Sequence, residues 1–217
     1  MPTTKPRKPR GRPPVHTPEE QMERIIEAAE QLLAQREMDA HSMTEIARLA
    51  GMSKRTVYAL VSSKEVLIER VMARVGVAIL GFLETDITSA KQAVVALERF
   101  LLRWIQAAHV PTTVNLFRLV LDERKNFPDV AKNYFASGNT YIRGRLAEWV
   151  RTQVASKYLA IEEPSFFVDV AADYLVIRPL LGMALNADFK DSALTSPMRV
   201  ARIMSLFAVG TPGPATP

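Results

Sequence analysis

The sequence predicts an all-α protein of about nine helices: a three-helix N-terminal domain containing a helix-turn-helix, then a larger helical domain. Three observations point there. Apolar residues recur at three- and four-residue spacing through nearly the whole chain, and helix-capping residues stand where those stretches begin. No segment alternates apolar and polar residues between turn signals, as a half-buried strand would.

The first helix opens at Thr17-Pro18-Glu19-Glu20, where threonine caps, proline takes the first helical position and Glu20 completes a capping box. Met22, Ile25, Ile26, Ala29, Leu32 and Leu33 then form one stripe. Ser42 and Glu45 repeat the capping spacing ahead of Met43, Ile46, Ala47 and Ala50. Gly51 falls where a helix end calls for a left-handed residue, Ser53 caps the next turn, and Val57, Leu60 and Val61 supply its apolar positions. Helix, glycine turn and helix is the helix-turn-helix pattern, whose second helix enters the major groove of DNA.

The run from Ile25 to Val71 resembles the DNA-binding domain of the TetR/AcrR family of bacterial repressors. The resemblance rests on Ala28-Ala29 and Leu32-Leu33, Met43 to Ala47, Ala50-Gly51, Ser53-Lys54, Thr56-Val57-Tyr58 and Ser63-Lys64-Glu65. It implies a ligand-responsive repressor that binds a palindromic double-stranded DNA operator as a homodimer and is released by a small-molecule effector. It places Lys54, Arg55 and Tyr58 at base edges, Thr44 as a further candidate, Thr56 and Lys64 at phosphates, and Ser53 among the DNA-binding residues. Two departures stand out. Arg36-Glu37-Met38-Asp39 replaces the glycine usual after the first helix, and Ala59-Leu60 stands where aromatic or histidine residues are common. Leu60 either touches a thymine methyl or joins the core.

Helix 4 begins near Ser62 or Ser63 and runs to about Phe82; in the resemblance it transmits the ligand signal. Helix 5 starts at Ser89, with Gln92 at capping spacing, carries Val94, Leu97, Leu101, Trp104, Ile105 and Ala108, and stops at Pro111. Helix 6 covers Thr113 to Arg124, and Phe127-Pro128 starts a long helix 7 carrying Tyr134, Phe135, Ile142, Leu146, Trp149 and Val150, with Gly138 and Gly144 as weak points. The stretch LVLDERKNFPDVAKNYF resembles one subgroup of the family's ligand domains. Within it, Asp122-Glu123-Arg124-Lys125 reads as a solvated helix end. Helix 8 runs from Pro164 through Leu185, with Pro179 expected to kink it, and helix 9 starts with Ser196 as cap and Pro197 first, then Val200, Ile203, Met204 and Phe207. Helix 8 is apolar on more than one face, which points to helices 8 and 9 as the dimer interface. A mostly apolar effector pocket is expected between helices 4, 5, 7 and 8. Trp104, Phe117, Tyr141 and Tyr174 are candidate lining and Arg178 a candidate polar anchor, suiting a hydrophobic or aromatic effector.

The net charge of +5 is concentrated at one end: Lys5, Arg7, Lys8, Arg10 and Arg12 all precede the first acidic residue, Glu19. With five prolines in the same stretch, residues 1–16 predict a disordered basic arm. Its Arg10-Gly11-Arg12-Pro13 matches the core of the AT-hook, in which extended arginines lie in a narrow minor groove; the alternative is a solubilising tail with a coincidental four-residue match. The remaining divisions are 17–64 for DNA binding, 65–210 for ligand binding and dimerisation, and a disordered tail at 211–217. No apolar run approaches the roughly 20 residues a bilayer demands, so no membrane partner is expected. The basic N-terminus lacks a signal-peptide core, which predicts a cytoplasmic protein associated with the bacterial nucleoid. The chain has no cysteine, and its three histidines, His16, His41 and His109, are scattered, so no metal, cofactor or catalytic set is expected. The competing reading, a sequence-tolerant architectural DNA-binding protein, accounts for the arm but not for about 130 residues of apolar helix.

Overall fold

Thr17 and Glu20 cap each other as their spacing requires: the Thr17 N–H donates to Glu20 Oε2 at 2.9 Å and the Glu20 N–H donates to Thr17 Oγ1 at 3.2 Å. This box starts α1 (Pro18–Gln35) in the computed structural model of the protein, which describes residues 16–35, 42–134, 136, 140–186 and 195–209. The basic arm with Arg10 and Arg12, the segment 36–39, Phe135, Gly138 and the tail 211–217 lie outside the described residues. Every regular element among the described residues is helical.

After α1 come α2 (Ser42–Leu49) and α3 (Lys54–Leu60), joined through Gly51 at φ +67°. A Cβ there would stand 3.1 Å from Arg24 Nη2, the flexible end of a side chain that can shift, so it is the backbone conformation that calls for glycine. Ser53 Oγ accepts from the Thr56 N–H at 3.1 Å, and Ser63 Oγ accepts from the Val66 N–H at 3.4 Å to start α4 (Lys64–Leu80). Glu45 turns its carboxylate onto Arg48 one turn along.

The core of the three-helix N-terminal domain, the reading head, does not close on its own three helices. Leu67, Ile68, Val71 and Met72 from the first half of α4 join Ile25, Leu32, Ile46 and Val57 in one buried cluster. Leu116, Leu119 and Val120 of α6 (Pro111–Glu123) and Val130 of α7 (Pro128–Asn133) complete it. A second cluster unites α5 (Ala90–Ala108), α8 (Tyr141–Ala155), α9 (Pro164–Ala172) and α11 (Ser196–Leu206), with Phe100, Leu101, Leu146 and Phe167 fully buried. Helix α4 spans both, since Ile79 belongs to the second.

Two expected helices differ in detail. Of the long helix 7, the described residues show α7 and α8, with π-helical backbone at Tyr134, Ala136 and Thr140 between them. The Pro164–Leu185 helix is α9, a π-helical turn over Asp173–Ile177, and α10 (Arg178–Ala184). The Arg178 N–H reaches back five residues to the Asp173 carbonyl. Pro179 explains the widening: it has no N–H for the carbonyl four residues earlier, its ring crowds that carbonyl, and a π turn upstream relieves both. At the last helix Thr195, rather than Ser196, takes the cap position.

Candidate nucleic-acid interface and ligand cavity

On α3, Val57 turns into the core while Lys54, Arg55 and Tyr58 are exposed, Tyr58 at 44%. Thr44 is exposed on α2. Ser53 and Thr56 lie side by side at the start of α3, their hydroxyls 2.8 Å apart, so capping holds both near the helix N-terminus. The sequence of α3 contains two cations and no acidic residue, so its N-terminal amide dipoles add to their positive charge. Arg48 on α2 is offset by Glu45, 2.5 Å away. Leu60 is half-buried against the core, which favours its packing role.

Lys64 is differently placed. Its Nζ donates to Glu123 Oε1 at 2.8 Å, and the two side chains are only 12% and 19% exposed. Glu123, expected at a solvated helix end, instead ties the end of α6 to the start of α4. Hydrogen bonds from Lys64 and then Asn126 hold its carboxyl below the usual carboxylate range.

A cavity of about 70 Å³ lies where the two core clusters meet. Met72, Val75, Gly76 and Ile79 of α4 form one wall, and Trp104 and Ala108 of α5 another. Thr113, Leu116, Tyr134, Ile142, Val176, Ile177 and Leu180 complete the described lining. Of the five residues expected there, only Trp104 reaches it. Phe117 packs on Tyr134 with ring centroids 5.7 Å apart, and Tyr141 is 54% exposed. Tyr174 lies under the Arg199 guanidinium, 4.6 Å from its ring centroid, and Arg178 is exposed. Size and aromaticity singled these residues out, but helix rotation decides which side chains face inward. Gly76, Thr113, Leu116 and Leu180 carried no signal of their own beyond the helical period, and Tyr134 stood only among the helix 7 aromatics. Burial pushes the Tyr134 phenol up to about 12, so it stays protonated and able to donate. Thr113 Oγ1 already donates to the Ala107 carbonyl at 2.9 Å.

Residues 25–71 match the family model described as bacterial regulatory proteins, tetR family, and residues 95–189 match that of the AefR-like transcriptional repressor, C-terminal domain. The chain belongs to the TetR family of transcriptional regulators. No curated protein matches it. Among solved structures, a putative TetR-family regulator from Mesorhizobium loti is 19% identical, with a TM-score of 0.72 over 90% of this chain and 99% of that one. The flavonoid-responsive regulator FrrA is 24% identical (TM-score 0.63; 88% and 97% covered), and Salmonella enterica GusR is 17% identical (TM-score 0.64; 89% and 98%). These likenesses extend the TetR fold across both domains.

In this TetR-family regulator a polar chain also crosses between the domains. Arg118 on α6 caps the end of α10, donating Nε to the Ala184 carbonyl at 2.8 Å and Nη2 to the Met183 carbonyl and to Asn186 Oδ1. Its Nη1 donates to Asn115 Oδ1 at 2.8 Å, and Asn115 Nδ2 donates to the Leu33 carbonyl of α1 at 2.7 Å. Arg74 on α4 pairs with Glu23 and, at 3.4 Å, with Glu30, both on α1. The wall of the cavity and the frame of the reading head are thus one connected structure. Among the described residues no group of three acidic or histidine side chains could hold a metal ion, and no helix is long and apolar enough to cross a membrane.

Proposed function

We propose that this regulator is a repressor that binds a palindromic operator as a homodimer and is released when a neutral hydrophobic or aromatic effector fills the cavity. The observation carrying this reading is that α4 belongs to both sites. Its first half is core to the reading head, and Met72, Val75, Gly76 and Ile79 are cavity wall. Ligand sites for small molecules are typically about 300–1,000 Å³, so an effector must spread the walls of a 70 Å³ cavity, and α4 is one of those walls. Moving α4 reorients α3 in each half of a dimer and disturbs the half-site spacing. In this reading Lys54, Arg55 and Tyr58 read base edges, with Thr44 beside them. Ser53 and Thr56 hold phosphate at the α3 N-terminus, and Lys64 reaches phosphate only by leaving Glu123.

Dimerisation is assigned to α9, α10 and α11, which expose Phe166 (55%), Leu181 (43%), Leu185 (65%), Met198 (51%) and Leu206 (71%). Apolar side chains exposed on three successive helices suit burial against a symmetry mate. Phe207 is a poorer probe of that surface, because it packs edge-on to Phe167 at 5.2 Å within the protomer. Selection of bound sites from random duplexes, followed by titration with the full-length protein, tests the reading. A two-fold symmetric consensus bound by two protomers is expected; length-dependent, sequence-blind binding would support an architectural role and defeat it.

A further inference from the structure

Gly76 is buried in the second half of α4, still inside the helix, where glycine weakens it relative to alanine, so its presence asks for a reason. Backbone conformation does not supply one: among the described glycines only Gly51 has positive φ. Packing does not supply one either. A Cβ added at Gly76 would meet no atom within 4 Å, whereas one at Gly51 would meet Arg24 at 3.1 Å. The space left by the missing side chain is the cavity itself, which Gly76 lines together with Val75 and Ile79. Trp104 of α5 is in the same lining, and no described lining residue carries a charge.

We propose that Gly76 is the specificity-determining residue of the cavity: its bare backbone receives the flat face of a neutral aromatic effector, which thereby bears directly on α4. The proposal rests on the reading of this cavity as the effector site. Bare peptide at Gly76 and the indole of Trp104 offer surfaces against which a planar ring can stack. Against the described lining, which carries no opposite charge, a charged ligand would lose its hydration, so neutrality is part of the specificity. The free volume, about 70 Å³, is roughly half the 150 Å³ that accommodates benzene in an engineered apolar cavity, so a single ring must displace a wall to enter. At Gly76 the wall is helix backbone, so the displacement falls on α4 rather than on a side chain that could rotate away.

The test uses the full-length protein with acetophenone as a neutral aromatic probe and benzoate as a charged one of similar size, both measured by calorimetry. The wild type is expected to bind acetophenone and not benzoate. Gly76→Leu should weaken acetophenone by at least about tenfold, while Gly76→Ala melts no lower than wild type and shows that the helix accepts a side chain. Unchanged acetophenone affinity in Gly76→Leu, equal binding of benzoate, or no binding of acetophenone to the wild type would each overturn the proposal. Operator titrations of the same proteins test the repressor reading separately: wild type that binds acetophenone without any operator shift would defeat effector control and leave the Gly76 assignment intact.

Discussion

Arg55 and Lys64 were expected to divide the work of DNA binding, and their surroundings sharpen that expectation. Arg55 is exposed on α3. Arg55→Ala should cost about 1–3 kcal/mol on the best site and relax preference at one base pair, read from a panel of single-base operator changes. Lys64 carries a second duty through Glu123. Glu123→Gln should lower stability by about 1 kcal/mol while leaving sequence preference unchanged; Lys64→Ala should do the same and also weaken all sequences alike. Stability from Glu123 is present above its unfolded value, near 4.5, and is lost as pH falls through its lowered folded value. His109 is shifted as well. Burial, reinforced by nearby Arg199, lowers it from the usual 6.5 against a hydrogen bond with the Val176 carbonyl. The folded state therefore binds fewer protons than the unfolded one, and melting temperature should fall as pH drops from about 7 through the folded value. His109→Gln should flatten that slope, and an unchanged slope would place the titration elsewhere. At this scale the sequence is legible where the cause is local. Ser53, Ser63, Ser89 and Gly51 do what their neighbours require. Tyr174 and Phe117 misled because their partners, Arg199 and Tyr134, are set by packing between distant segments.

Among the elements, α4 and α6 carry the connection between the domains. The period of apolar residues located both helices but not the faces they turn to each other, so the Arg118–Asn115–Leu33 chain could not be foreseen. The same limit explains helices 7 and 8: an apolar helical period does not distinguish α-helix from the π-helical backbone at Tyr134, Ala136 and Thr140 or from the π turn before Pro179. Gly76→Ala should stabilise by about 0.5–1 kcal/mol, since it gains helix propensity and meets nothing. Gly51→Ala should destabilise by about 1–2 kcal/mol, since it forces alanine to a left-handed conformation against Arg24. Thermal melts of the two variants should move in opposite directions. The basic arm is an element only by charge. If Arg10 and Arg12 enter the minor groove, deleting residues 1–14 should flatten the salt dependence by up to about 0.9 in slope for every phosphate the arm neutralises. It should also weaken sites with A·T flanks more than sites with G·C flanks. Equal weakening on both flanks would make the arm a non-specific tether.

For the whole molecule, the reading requires two protomers and one moving helix in each. Leu206→Asp and Leu185→Asp place charge on side chains already exposed in the protomer, so they should leave each protomer folded and yield monomers by sedimentation. Monomers should lose tight operator binding, because half-site spacing is a property of the pair. The central claim is that filling the cavity displaces α4 and thereby releases DNA. The most direct measurement is operator affinity, by fluorescence anisotropy, with and without a compound that raises the melting temperature of the wild type but not of Gly76→Leu. The account predicts that the compound weakens operator binding by the wild type, approaching about 10⁴-fold if the switch is complete, and leaves Gly76→Leu bound to DNA. A compound that occupies the cavity and leaves operator affinity unchanged would contradict it.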